Sequence, residues 1–180
     1  MLQITIPAGE LYNEATGEFL YTREQRLTLE HSLVSLARWE SRWHKPFLSR
    51  KAKSWEESVD YVRCMTLTQN VDPLCYRFIT KPLMERILAY IDEPMTATTF
   101  SKADEKRFSR EVITAEVIYY WMISFSIPME CQKWHLARLM TLITVCDRKS
   151  NPGKKMSRKA LAAQNRALNA QRCQAMGTRG

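Results

Sequence analysis

Apolar and polar residues alternate at the start of the chain. Leu2, Ile4 and Ile6 are separated by Gln3 and Thr5, and Pro7 closes the run. A period of two is the mark of a strand with one buried face. A second extended pair flanks residues 13–17 (NEATG), with Leu11 and Tyr12 before it and Phe19, Leu20 and Tyr21 after it. Gly17 suits a turn position with positive φ. Residues 1–21 therefore predict a short β hairpin, too small to be stable alone and lying on a helical body.

From Thr22 the pattern becomes helical. Thr22 and Gln25 have the spacing of a capping box. Leu29, Leu33, Leu36 and Trp43 form a buried stripe that Val34, Ala37 and Trp39 widen, while Arg23, Glu24, Arg26, Glu30, Arg38 and Arg42 suit the solvent side. This predicts one helix from Thr22 to the stop at Pro46. Ser54 with Glu57 gives a second capping box, ahead of Trp55, Val59, Val62 and Leu67. Asp72-Pro73 marks a third start, and Pro82 opens a further helix with Leu83, Ile87 and Ile91 as its stripe. Residues 92–100 read as a loop that packs Met95 and Phe100 inward. Two helices then form the centre of the core. One spans 113–123 with Ile113, Val117, Ile118, Trp121 and Met122. The other spans 129–147 with Cys131, Trp134, Arg138, Leu139, Leu142, Ile143 and Cys146. Asn151-Pro-Gly153 breaks the chain, Ser157 caps a last, thinly apolar helix, and residues 177–180 fray.

The fold class that follows is mainly α: a single compact helical domain over 1–147, carrying the hairpin, and a basic helical arm over 148–180. A length of 180 residues suits one domain with an extension. Charge sharpens the boundary. Residues 148–180 hold Arg148, Lys149, Lys154, Lys155, Arg158, Lys159, Arg166, Arg172 and Arg179 and no acidic residue. Residues 1–147 hold all 19 acidic residues and the other 18 of the 27 basic ones, a net of −1. The arm, through Lys154, Lys155, Arg158, Lys159, Arg166 and Arg172, is the expected electrostatic contact, to nucleic acid phosphates or to an acidic protein surface.

Little in the chain points to catalysis. His31, His44 and His135 lie far apart, and HExxH, CxxC, GxxxxGK and GxGxxG are absent. Cys131 and His135 share a helix face in the helical reading, which packing explains more simply than a metal or a nucleophilic pair. Glu116, on an otherwise apolar helix, reads as half-buried and paired with Arg107, Arg110 or Arg138. No catalytic residue, metal or cofactor is expected. The five cysteines are odd in number and widely spaced, which fits reduced thiols. The longest apolar run, 117–127, is too short to span a membrane, and the start lacks the pattern of a signal peptide. The aromatic residues are more informative. Trp39, Trp43, Tyr120, Trp121 and Trp134 are the expected partner-binding residues, because Trp and Tyr anchor protein interfaces.

Several stretches resemble proteins of long-tailed bacteriophages. They are residues 29–46 (LEHSLVSLARWESRWHKP), 65–67 (MTL), 70–71 (NV), 94–100 (PMTATTF), 113–121 (ITAEVIYYW), 128–136 (PMECQKWHL), 151–157 (NPGKKMS) and 168–169 (LN). The group they resemble is that of tail assembly chaperones. The resemblance implies a helical, non-enzymatic protein that binds the tape measure protein, helps recruit tail-tube subunits and acts in the host cytoplasm; a homo-oligomer is a further candidate assembly, which the sequence leaves open. Two other readings stand beside it. One is a structural virion protein of head, connector or tail. The other is a nucleic-acid-associated accessory protein using the basic arm.

Overall fold

Strand pairing reaches further along the chain than the N-terminal alternation predicts. In a computed structural model, which describes residues 1–13, 17–49, 51–99 and 112–150 with Ala162, Asn165, Arg166 and Asn169, there are four strands. They are β1 (Leu2–Ile6), β2 (Gly9–Asn13), β3 (Glu18–Thr22) and β4 (Gln25–Leu29). β1 pairs antiparallel with β4, and β2 with β3, as two small sheets. Both ladders keep one register, in which residue i faces residue 31 − i. The expected helix start at Thr22 is thus corrected: Thr22 is the buried last residue of β3, and Gln25 opens β4. The reason is packing. Leu27 and Leu29 alternate with Arg26 and Thr28, and they face Ile4 and Leu2 across the ladder. Ile4, Ile6, Leu27 and Leu29 are all buried, so the sheet has one covered face. Gly17 takes the positive φ its turn needs, +69°.

The outer edge of β4 is closed by the chain that follows the second helix. Leu67 N–H donates to Thr28 O at 2.8 Å, Glu30 N–H to Met65 O at 3.0 Å, and Thr28 N–H to Thr68 Oγ1 at 2.9 Å. On the second strand pair, β2–β3, glycine at position 9 is required by close approach. A Cβ there would lie 2.3 Å from the Phe78 ring.

The helices are α1 (Leu33–Trp43), α2 (Trp55–Met65), α3 (Lys81–Ile91), α4 (Ala115–Ser124) and α5 (Leu136–Ser150), with 3-10 turns at Pro73–Phe78 and Met129–Lys133. α1 begins at Ser32, not Thr22. Ser32 and Ser35 cap each other, Ser35 N–H to Ser32 Oγ at 3.3 Å and Ser32 N–H to Ser35 Oγ at 2.9 Å. His44 in the left-handed region ends α1 just before Pro46. The Ser54–Glu57 capping box forms as the spacing predicts, and Asp72 accepts from Leu74 N–H at 2.9 Å to start the first 3-10 turn. α3 buries Met84, Ile87 and Tyr90, so the expected stripe of Leu83 and Ile91 is shifted to the side of the helix.

The expected helix 129–147 is broken. Trp134 is extended, and α5 starts afresh at Leu136. Met95 is half-buried, while Phe100 lies outside the described residues, as do Ser157 and the expected apolar positions of the last helix. The chain divides into two units, Met1–Thr144 and Val145–Gly180. In the second, the described residues are the end of α5, which runs through the charge boundary to Ser150, and the helical, exposed Ala162, Asn165, Arg166 and Asn169.

One buried carboxylate joins three segments of the first unit. Glu40 on α1 accepts Phe47 N–H through Oε1 and Ala115 N–H through Oε2, both at 2.7 Å. Thr114, the residue at the cap position of α4, makes no side-chain cap of its own. Glu40 therefore supplies from α1 the acceptor that α4 lacks, at the end of the helix dipole that favours negative charge. Glu40→Ala leaves two backbone donors without acceptors and is expected to lower stability by roughly 3 kcal/mol. Urea melts of the two proteins check this, and an unchanged midpoint would show that water replaces the carboxylate.

Candidate functional site: a buried histidine pair and exposed apolar faces

Where β4 turns into α1, the sequence Glu30-His31-Ser32 is fully buried. The local reason is the abrupt change from strand to helix, which leaves polar groups inside the core that need partners. His31 Nδ1 is hydrogen-bonded to the Tyr61 hydroxyl at 2.6 Å. The His31 carbonyl accepts Leu136 N–H at 2.7 Å. The His31 and His135 rings meet edge to face with centroids 5.1 Å apart, and His135 meets Tyr90 in the same way at 5.0 Å. Ala137 N–H donates to His135 Nδ1 at 3.3 Å, so the proton sits on Nε2, which donates to Tyr90 O at 3.1 Å. Tyr90 O–H donates to Glu30 Oε1 at 2.8 Å, and the other Glu30 oxygen meets the amino group of Met1 at 3.2 Å. One strand-to-helix turn is thereby tied to α2, α3, α5 and the chain start.

Burial sets the protonation of this cluster. It pushes the His31 pKa from 6.5 down to about 3, with His135 adding to the effect, and it raises those of Tyr61 and Tyr90. His31 is an uncharged imidazole at neutral pH, held by a phenol that keeps its proton. Beside it, between α2 and α3, a cavity of about 350 Å³ is lined by His31, Phe47, Lys53, Tyr61, Met84 and Ile87, among others. The ammonium of Lys53 lies 4.2 Å over the Phe47 ring, and burial lowers its pKa. Such walls suit an apolar group.

The residues expected to bind partners fall into two sets. Trp39 is buried at 1% exposure, stacks on Trp43 at 6.0 Å and donates to Glu57 O at 2.9 Å. Half-buried Trp43 donates to Asp60 Oδ2 at 2.9 Å, and Asp60 also meets Arg42. These two rings fasten α1 to α2. Trp121 is half-buried, as is Trp134, whose ring carries the Arg138 guanidinium at 4.3 Å. Tyr120 is 67% exposed, on a face of α4 that also presents Ile123 at 69%. Of the basic candidates, Arg166 is helical and exposed, and Lys154, Lys155, Arg158, Lys159 and Arg172 lie outside the described residues.

Three readings are corrected. Glu30 is buried rather than on a solvent face, and Glu116 is exposed rather than half-buried. Cys131 and His135 share no helix, because one is in a 3-10 turn and the other precedes α5. Among the described residues no group of three His, Cys, Asp or Glu side chains could hold a metal ion. Cys64, Cys75 and Cys131 are buried free thiols, with Cys75 pushed up to about 11 by burial and by Asp72. No described helix is long and apolar enough to cross a membrane. No family model, curated protein or solved structure matches the chain.

Sequence reasoning missed the exposed aromatic residues of the β2–β3 ladder. Tyr12, Phe19 and Tyr21 all lie on its open face, and only the pairing of Tyr12 with Phe19 reveals that they are neighbours. The available signal was the placing of Phe19 and Tyr21 two residues apart, either side of Leu20, which puts both rings on one face of a strand.

The His31 shift has a definite sign. The unfolded chain binds a proton at His31 below pH 6.5, whereas the folded chain does so only near pH 3. Stability from this residue is therefore complete above pH 6.5 and falls as pH is lowered through that window, by about 1.4 kcal/mol per unit. Denaturant melts across the window should show a steeper loss for the natural chain than for His31→Phe. The NMR signal of the His31 ring should not titrate near pH 6.5. A midpoint there would mean that the ring is solvated.

Proposed function

We propose that this chain is a non-enzymatic tail assembly chaperone of a long-tailed bacteriophage, which binds the tape measure protein and assists tail-tube assembly in the host cytoplasm. The observation that carries the reading is the two-sided apolar character of α4. Ala115, Ile118 and Met122 are buried on its inner side, while Tyr120 and Ile123 are open on its outer side, with Met129 exposed in the 3-10 turn that follows. These residues come from stretches that carry the resemblance to tail assembly chaperones, 113–121 and 128–136, or from between them. Apart from the exposed Glu116 in its first turn and Ser124 at its end, α4 is apolar all round; such a helix is ordinarily enclosed, and here a client helix completes the enclosure. In this reading residues 1–29 act as one long hairpin and residues 148–180 as a basic helical arm, neither of which touches the client.

Coexpression with the tape measure protein should raise the soluble yield of that client. Apolar contact is insensitive to moderate salt, whereas exposed charge pairs are screened. The complex should therefore survive about 0.5 M salt, where the Debye length is short. It should also survive replacement of the basic residues beyond Ser150 by Gln. Tyr120→Ser with Ile123→Ser should abolish client rescue without lowering the melting temperature, because both side chains are exposed. A client that stays insoluble, with this chain present at fixed copy number in purified particles, would overturn the reading in favour of a structural virion protein.

A further inference from the structure

We propose that the open face of the β2–β3 ladder is a self-association surface that receives the Lys- and Arg-rich residues 151–180 of a second copy of this chain. Across the ladder Tyr12 faces Phe19 and Glu10 faces Tyr21, so these four side chains share one face. The ring centroids of Tyr12 and Phe19 are 5.1 Å apart, and those of Phe19 and Tyr21 are 6.4 Å apart. The three rings are 52%, 55% and 69% exposed. The opposite face is the covered one: Thr22 is buried, Leu11 and Leu20 are half-buried, and Gly9 closes on Phe78. The aromatic row is thus a built surface, held from behind and open in front.

Charge names what covers it. Residues 1–22 contain Glu10, Glu14 and Glu18 and no Lys or Arg. Residues 151–180 contain Lys154, Lys155, Arg158, Lys159, Arg166, Arg172 and Arg179 and no Asp or Glu. Glu10, paired with Tyr21, puts a carboxylate on the aromatic face, and a row of π faces beside it attracts cations on long stems, which pack over the rings within about 6 Å. It repels phosphate and anionic lipid. The Arg138 guanidinium over Trp134 is the same pairing inside one copy. Because the ladder and the basic segment are different surfaces, a reciprocal exchange closes as a two-fold dimer, whereas a one-way contact joins successive copies head to tail. This goes beyond client binding and is separable from it, since the α4 face uses neither surface.

Sedimentation velocity of the nuclease-treated full chain tests the proposal. At about 0.1 M salt it should show concentration-dependent association to dimers or larger species, and association should weaken at least about tenfold at about 0.5 M. Two full-length variants should each be monomeric. One carries Tyr12→Thr, Phe19→Thr and Tyr21→Thr, which keep strand propensity. The other carries Gln at the seven basic positions beyond Ser150. Mixed, they should form a one-to-one complex and nothing larger, because one retains the basic segment and the other the ladder. A Glu10→Lys variant gives a second route to the same loss, and thermal melts check that all variants are folded. A natural chain that stays monomeric, association that nuclease abolishes, or a mixture that fails to pair would each overturn the proposal.

Discussion

A strand that becomes a helix inside a core must find partners for backbone and side-chain groups that neither ladder nor helix satisfies. That constraint, met at Glu30-His31-Ser32, organises the first unit. Glu30 takes Tyr90 and the amino group of Met1, His31 takes Tyr61 and Leu136, and Ser32 caps α1 while bridging to His135. Apart from the Ser32 cap, each of these bonds joins segments far apart in sequence, so the turn is a meeting point rather than a connection. Removing one member would strand the others in a medium where an unpaired polar group is expensive.

The carboxylates repeat the theme at a second level. Glu40 caps α4 from α1. Glu57 closes its own capping box and receives Lys45 at 2.6 Å, and that contact holds its carboxyl below the usual range. Asp60 gathers Trp43 and Arg42. Where such groups sit near the surface, their charge contributes little, and their value lies in geometry: they fix which helix approaches which. The outer face of α4 and the open face of the ladder are left free of these polar ties. The interior is specified by polar contacts, and the two open surfaces carry large apolar and aromatic side chains.

Much of this was legible in the sequence and the rest was not, for physical reasons. The first strand, the positive φ at Gly17, the Ser54–Glu57 box and the stop before Pro46 are local, and local signals sufficed. The start of α1 was misread because Leu29 serves two patterns. It stands four residues before Leu33, as in a helix, and two after Leu27, as in a strand. Only pairing with Leu2 decides between them. The break at Trp134 is likewise invisible to periodicity, since His135 is drawn out of the helical path by Ser32, His31 and Tyr90. Glu30 looks like a solvent-side residue until Tyr90, 60 positions away, comes to meet it, and nothing local to Glu40 marks the bond it receives from Ala115, 75 positions away.

The shared register of the two ladders also constrains how the chain can change length. Residues 7–8 and 23–24 are the matched spacers between the paired segments. One extra residue in either spacer alone would turn every side chain beyond it to the opposite face, sending Leu11 and Leu20 outward or the aromatic row inward. An insertion in one spacer needs a counterpart in the other. Between Asn13 and Gly17 no such bookkeeping applies, because added residues there leave both registers as they are. That is the position at which a peptide tag or a fluorophore site can be grafted into the N-terminal segment without re-aiming any strand.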